Sequence, residues 1–495
     1  MDEADRELER AETQASSLVS RRSSRYSASS HPDSIDKTVS HHPIHVERSH
    51  THRQQHIHTV GSHADSRSLK TVQSRPLPKF GGGKPYPPEI PAEREAYVVD
   101  FESPTDPLHP VNWPTRTKLG LSAIGAAACF CSTFASSVLS VATPTIAVYF
   151  GIGIETASLA SALYLVGYAV GPLFWGPLSE INGRKLPLLI GEFGFAVFAT
   201  ATAVSKDVQT LMISRFFMGM FGSAPLVVVA AVYTDIWKAE LRGYALVIFA
   251  ASVFMGPMMA PFIGAFTVES YLGWRWDGYW SMIQGFTVFI LLVLFFKETY
   301  PPAVLVSKAA YLRRRTKNWA IHAKQEEIEI DIRELIEKNL SRPLRMLVTE
   351  PILLLIGFYL SFVYGLMYIS LAAFPFVFAG KHHIKPGVSS LPFLGMAIGM
   401  LGAAAASCAS NPSWVRKFHA NNNRPIPEWR LPLACVGAVI FVIGLFWFGW
   451  TGNYESVHWI VPTIAGVFIG FGLLGIFMQL IMYIIESYLM LYVQP

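Results

Sequence analysis

From Leu119 onward the chain alternates long apolar runs with short polar turns. A helix that crosses a bilayer needs about 20 mostly apolar residues. Runs of that kind lie near 119–147, 156–175, 186–205, 209–234, 244–267 and 279–296, then, after a break, near 351–379, 387–410, 431–450 and 459–485. The pattern predicts an all-α polytopic membrane helix bundle with ten spans, numbered 1 to 10 in chain order. Residues 1–99 lack the pattern: they are rich in Ser, His, Arg and Pro and almost free of aromatics. Such a segment cannot bury enough apolar surface to offset its ordering entropy. The expected layout is a disordered N-terminal tail over 1–117, a six-helix bundle over 118–296, a linker over 297–350 and a four-helix bundle over 351–495.

Composition supports lipid as the main solvent. Of 495 residues, 51% are hydrophobic and 15% charged, against about 25% charged in soluble proteins. The net charge of +5 is small and the basic residues sit mainly between apolar blocks, so no nucleic-acid partner is expected. Cys129, Cys131, Cys408 and Cys435 each fall inside an apolar run, where cysteine acts as a small hydrophobe, so no disulfide framework is expected. His50, His52, His56 and His58 recur closely in the tail, but nothing there supplies a tetrahedral scaffold, and neither metal nor cofactor is expected. The opening "MDEADRELER" is charged and followed by no apolar core. No cleavable signal peptide is expected, and targeting would fall to the first internal span.

An even number of spans puts both termini on one side, and the basic residues choose it. With a cytosolic N-terminus, the inside loops hold Arg184, Lys185, Lys238, Arg242, Arg416, Lys417, Arg424, Arg430 and the whole 297–350 segment. "KHHIK" at 381–385 is the one basic loop left outside. A multi-pass cell-membrane protein with cytosolic termini is expected. The linker stretch "RRRTKNWAIHAKQEEIEIDIRELIEKNL" opens on Arg313, Arg314 and Arg315 and has helical spacing, which suits an amphipathic helix lying on the cytosolic face.

The densest polar feature between apolar runs is "GPLSEINGRK", Gly176 to Lys185, joining spans 2 and 3. Its glycines permit a tight turn, and Arg184 and Lys185 follow the inside-positive bias; on composition alone an ordinary loop would suffice. The spacing Gly176, Leu178, Glu180, Gly183, Arg184, Lys185 resembles the G-x-L-x-D-x-x-G-R-K/R signature of the major facilitator superfamily, with Glu180 in the Asp place. In that family the turn forms a charge network that latches the inward-closed state, which implies a partner for Arg184 at Asp235, in "YTDIW" at the end of span 4. "RFFMGMFGSAP" places Arg215 early in span 4. An ionisable residue there either faces the bundle interior or snorkels, and the resemblance implies the interior. "GPMMAPFIG" carries Gly256, Pro257, Pro261 and Gly264 and looks like the antiporter motif of span 5, G-P-x-x-G-P, with Ala260 replacing the second glycine.

"SPTDPLHPVNWP", "YLGWRWDGYW", "KETYPP" and "RRRTKNWAIHAKQEEIEI" resemble more narrowly the fungal drug:proton antiporter branch that includes polyamine exporters. That resemblance, over about 101–490, implies export of small organic cations, drugs or toxins in exchange for protons, by a monomer. Exporters of polyamines and of secondary metabolites share this scaffold, so both readings stay open. Members of the superfamily have twelve spans in two six-helix halves, so ten of the usual twelve are expected here. A truncated, non-transporting chain is the alternative. The spans contain no clustered nucleophiles, metal constellation or phosphate-binding loop, so an enzyme is not expected.

Sites in such folds lie near the midplane between the halves. Glu486, at the end of the charge-free run 459–485, is the first candidate for proton relay or substrate pairing; simple hydration at the cytosolic interface of span 10 is the equal alternative. Glu192, a turn and a half into span 3, is a weaker one. Tyr164, Tyr168, Tyr364 and Tyr368 offer cation–π faces, although aromatics at helical spacing more often serve as packing or interface anchors.

Overall fold

The computed structural model describes residues 80, 82, 97–327, 342–385, 387–422, 424 and 426–493. Most of the expected tail, including its four clustered histidines, and linker residues 328–341 lie outside the described residues.

Among the described residues, ten helices are long and apolar enough to cross a membrane: Thr115–Ser140, Ile154–Ile181, Lys185–Ala203, Val208–Ile236, Ala239–Glu269, Arg275–Phe295, Pro351–Lys381, Val388–Ala420, Pro427–Gly452 and Ile460–Tyr488. These are spans 1 to 10. Span 1 ends earlier than the apolar run suggests. Its helix tightens into a 3-10 turn at Val138–Ser140, and a separate helix, Thr143–Phe150, follows with proline at its start and Gly151 in the left-handed region after it (φ 65°). Pro144 has no N–H to continue the helix before it, so the run breaks there.

The chain folds as two similar halves. In the first, span 4 packs against spans 2 and 3, while span 5 covers span 1 and span 6 covers spans 1 and 3. In the second, span 10 packs against spans 8 and 9. The central crossing is built the same way in both. A Cβ at Gly167 would strike the Phe216 carbonyl and one at Gly219 the Tyr164 carbonyl; Gly399 and Gly470 meet Val467 and Met396 in the same reciprocal fashion. Small residues at crossings let backbones touch where lipid offers no hydrophobic drive for association. The outward faces of spans 7 and 9 carry exposed Phe358, Phe362, Ile369, Val439, Phe446 and Trp450, as a lipid-facing surface should. Span 5 joins the halves by packing on spans 8 and 10.

Residues 300–327 and the 2–3, 4–5, 8–9 turns share one end of the bundle, called here the connector face. Residues 97–114, assigned to the tail from composition, are folded against it. Val98–Val99 pairs in parallel with His322–Ala323, and Phe80, Tyr97 and Val99 bury with Ala309, Leu312 and Ile321. Lys308 Nζ donates to the Asp100 carbonyl at 3.0 Å, and Lys118 Nζ to that of Val111 at 2.6 Å. The partners of Val98, Val99 and Asp100 lie over 200 residues downstream, where local composition cannot reveal them. The basic triplet Arg313–Arg315 also differs from expectation: it closes a helix, Pro301–Thr316, instead of opening one. Positive charge there complements the helix dipole, and Lys317 (φ 55°) stops the helix.

Arg313 then grips Glu326 by two hydrogen bonds of 2.7 and 3.1 Å, and Ala323 N–H adds a third at 2.9 Å. Burial pulls the Glu326 carboxyl upward, but these bonds win and hold it below the usual carboxylate range. A depressed acid stabilises the fold above its unfolded value and loses that contribution as pH falls through the folded one. Acidifying below about pH 4 should therefore speed hydrogen exchange at Val98 and Val99, and Glu326→Gln should do so already at pH 7.

Candidate functional site

Two polar assemblies lie at the connector face, one per half. In the first, Asn182 and Gly183 turn the chain between spans 2 and 3, with Gly183 at φ 83°. Arg184 Nε donates to Asp235 Oδ2 at 3.0 Å and Nη1 to Ser179 Oγ at 2.9 Å, and its guanidinium lies over the Tyr300 ring at 4.7 Å. The N-terminus of span 3 needs acceptors for its free N–H groups. Glu298 supplies them: its carboxylate accepts from Arg184 N–H (2.8 Å) and Lys185 N–H (3.1 Å), and also from the N–H groups of Thr299 and Tyr300. Gln325 reaches back from the linker to the carbonyls of Glu180 and Ile181 at 3.1 and 2.9 Å. Burial raises the Tyr300 hydroxyl above its ordinary value against the pull of Arg184. Of the motif residues, Arg184, Gly183 and Asp235 meet in this assembly. The Glu180 side chain is exposed and that of Lys185 half-buried, and neither has a hydrogen bond or ion pair here.

The glycines differ too. A Cβ at Gly183 would lie 2.6 Å from Glu298 Oε2 and 3.0 Å from Ala303 Cβ, on a backbone that L-residues avoid. At Gly176 it would meet only Val227 at 3.9 Å. Gly183→Ala should lower the melting temperature of the detergent-purified chain, by about 1–2 kcal/mol of backbone strain alone, while Gly176→Ala should leave it unmoved.

The second assembly changes the reading of Glu486. Its Oε1 accepts from Arg430 Nε and Nη2 at 3.0 and 2.9 Å, and the Arg430 guanidinium stacks on Trp414 at 4.3 Å. Arg430 opens span 9 as Arg184 opens span 3, and Glu486 closes span 10 as Asp235 closes span 4. Glu486 is thus neither a midplane carboxyl nor a hydrated one: it is a buried ion-pair partner at the connector face. Between the two pairs stands Arg242, at the start of span 5, which feels the charge of both Asp235 and Glu486. Nearby, Asn411 of span 8 donates to the Glu240 carbonyl at 3.3 Å.

Deeper in, aromatic rings from both halves meet. Tyr164 and Tyr168 of span 2 stack at 6.0 Å and Tyr364 and Tyr368 of span 7 lie 5.2 Å apart. Phe254 of span 5 and Phe477 of span 10 touch each other at 4.9 Å and Tyr364 at 6.0 and 5.8 Å. Ser136 of span 1 and Tyr368 share a hydrogen bond of 2.8 Å across the halves, and the Tyr168 hydroxyl is buried beside them. Arg215 borders this box inside the first half. It is fully buried, donates to the Ala160 and Ala135 carbonyls at 3.1 and 3.0 Å and stacks on Tyr164 at 4.7 Å. It does not snorkel.

In span 5, Gly256 and Gly264 press on span 1: a Cβ at Gly256 would strike Thr133 and Phe134, and one at Gly264 would lie 2.9 Å from the Val138 carbonyl. Pro257 and Pro261 sit inside the same helix, and the Pro257 carbonyl accepts from Ser137 Oγ at 3.2 Å.

The Major Facilitator Superfamily profile matches residues 125–490. The chain belongs to that superfamily. Its relatives include the major facilitator superfamily multidrug transporter FLU1 of Candida albicans, 44% identical over 84% of this chain and 68% of that protein. The multidrug transporter TPO1_2 of Candida glabrata is 41% identical over 86% and 74%. Among solved structures, the proton:xylose symporter XylE shares the fold, with a TM-score of 0.56 and 16% identity over 76% of this chain and 82% of that one. The human organic anion transporter MFSD10 scores 0.51 at 13% identity, over 76% and 87%. This superfamily member is a multi-pass membrane transporter of small molecules, not an enzyme.

Sequence reasoning missed Glu298, Arg430 and Arg242. "KETYPP" held the first in plain view, but its work is done through backbone N–H groups 113 and 114 residues away. Arg430 had a signal: it stands directly before the apolar run near 431–450, as Arg184 and Lys185 stand before the run near 186–205.

Proposed function

We propose that the chain is an efflux pump of the cell membrane that exports small organic cations, polyamines and drugs among them, in exchange for protons. The observation that carries this is the aromatic box at the boundary of the halves. Tyr168, Tyr364 and Tyr368 present ring faces and hydroxyls in a desolvated site, where a cation over an aromatic face gains about 0.5–2 kcal/mol. The names of the multidrug relatives agree with a broad substrate range. The connector face, carrying most of the basic loops, is cytosolic in this reading, and the chain acts as a monomer. The Arg184–Asp235 and Arg430–Glu486 pairs then hold the cytosolic ends of the two halves, and release of their links through Arg242 opens the box inward. The Gly256–Gly264 face of span 5 keeps that helix rigid on span 1 while its other side slides on spans 8 and 10.

Inside-acid vesicles with a panel of organic cations test this. Gradient-driven accumulation is expected, weakened by about threefold to thirtyfold in Tyr364→Ala or Tyr368→Ala. Accumulation that ignores the gradient would eliminate proton exchange. At the latch, Arg184→Asp and Asp235→Arg should each abolish transport and together restore part of it; no rescue would remove the pair from the gate.

A further inference from the structure

Two carboxyls in the first half have no role in the assemblies above. Asp277, in the first turn of span 6, is fully buried, and neither of its oxygens has a hydrogen-bond partner. Glu192 of span 3 is likewise fully buried with both oxygens unpartnered. Arg215, whose Nη2 is also buried and unpartnered, acts on Asp277 and stacks on Tyr164, and Tyr164 in turn feels Glu192. An unpartnered ionised carboxylate is very costly in such a setting, and a protonated one costs far less. Native bundles seldom keep one such group, and this half keeps two.

We propose that Asp277 and Glu192 are the proton-holding groups of the transport cycle, forming a proton path inside the first half that runs past Arg215 and Tyr164 and is separate from the aromatic box. This rests on the proton-exchange reading above. Of the charged groups on the elements around span 6, Arg215 is the one whose charge Asp277 feels. Glu192 is faced by Cys129 and Cys131 of span 1 and by Tyr164 of span 2, with no cation among them. Asp277 also lies beside the antiporter-motif glycine of span 5: a Cβ at Gly264 would come within 3.5 Å of its Oδ1.

The arrangement couples proton to cation through charge, without contact between them. Arg215 stacks on Tyr164, which stacks on Tyr168 of the box, and Arg215 is also felt by Tyr368. When both carboxyls hold protons, the guanidinium is the net charge next to the box and repels a cation. When they release them, two negative charges outweigh it and the box attracts one. At low effective dielectric such charges act over several ångströms. Each carboxyl binds one proton and returns it, so no other reactant is needed.

The test uses the purified full-length chain in liposomes with tetraphenylphosphonium as the cation, measuring affinity from pH 5.5 to 8 and accumulation under an inside-acid gradient. In the wild type, affinity should rise at least tenfold with pH. Asp277→Asn and Glu192→Gln should each flatten that rise and lose gradient-driven accumulation, with wild-type melting temperatures, and Asp277→Glu and Glu192→Asp should recover part of the slope. Folded Asn and Gln variants with the wild-type slope would overturn the path while leaving the exporter reading intact. So would loss of tetraphenylphosphonium binding at every pH, which would make the carboxyls part of the box. A wild type indifferent to the gradient would overturn proton exchange and the path together.

Discussion

Arg430→Met or Glu486→Leu alone should destabilise the folded chain by about 3–5 kcal/mol, and the double variant should recover most of the loss. The reason lies in burial. The two side chains are only 7% and 11% exposed, so removing either leaves the other charge desolvated with its partner gone. Removing both trades a buried ion pair for apolar packing, which often costs nothing. Unfolding in detergent measures all three. The result also decides what Glu486 does. A proton carrier replaced by Gln would keep the fold and lose gradient-driven transport, whereas an ion-pair partner loses stability first. Single variants as stable as wild type would remove the pair from the structural account of the second half.

What could be read ahead of the structure divides by distance along the chain. The ten spans were legible because crossing lipid imposes a length and a composition on consecutive residues. The Gly183–Arg184 turn was legible because its own residues are neighbours that match a superfamily signature, although its partners Asp235 and Glu298 lie 51 and 114 residues from Arg184. Glu486 was visible as an isolated charge, but its meaning depended on Arg430, 56 residues earlier, and a lone carboxylate at the end of an apolar run looks the same whether hydrated, protonated or paired. The strap at 97–114 was lost because its apolar residues are few and their partners lie beyond span 6. Asp277 is the sharpest case. Inside "GWRWDGYW" it looks like a charge in the polar turn between two apolar runs, yet it falls in the first turn of span 6, beside Gly264 and fully buried.

The glycine face of span 5 yields the other large effect. Gly256→Val should prevent recovery of folded, monodisperse protein, Gly256→Ala should give a partly destabilised one, and Gly365→Ala should match the wild type. At Gly256 the obstacles are Thr133 and the backbone itself, with Phe134 N at 2.7 Å and the Phe130 carbonyl at 3.0 Å from a built Cβ. A flexible side chain can step aside, but a helix backbone moves only as a whole, so even one methyl forces spans 1 and 5 apart along their length. Overpacking of this kind costs typically about 1–3 kcal/mol when neighbours can relax and more when they cannot. In a bilayer the lost contacts are not replaced by a hydrophobic drive to reassociate. At Gly365 a Cβ meets nothing within 4 Å, so the same methyl there tests whether helix propensity alone explains any change. Because Ser137 and Pro257 bond across the same seam, a separated seam would also displace span 1 and with it the Ser136–Tyr368 link between the halves. Any Gly256→Ala protein that survives should therefore bind organic cations more weakly at the aromatic box, although no atom of residue 256 reaches it.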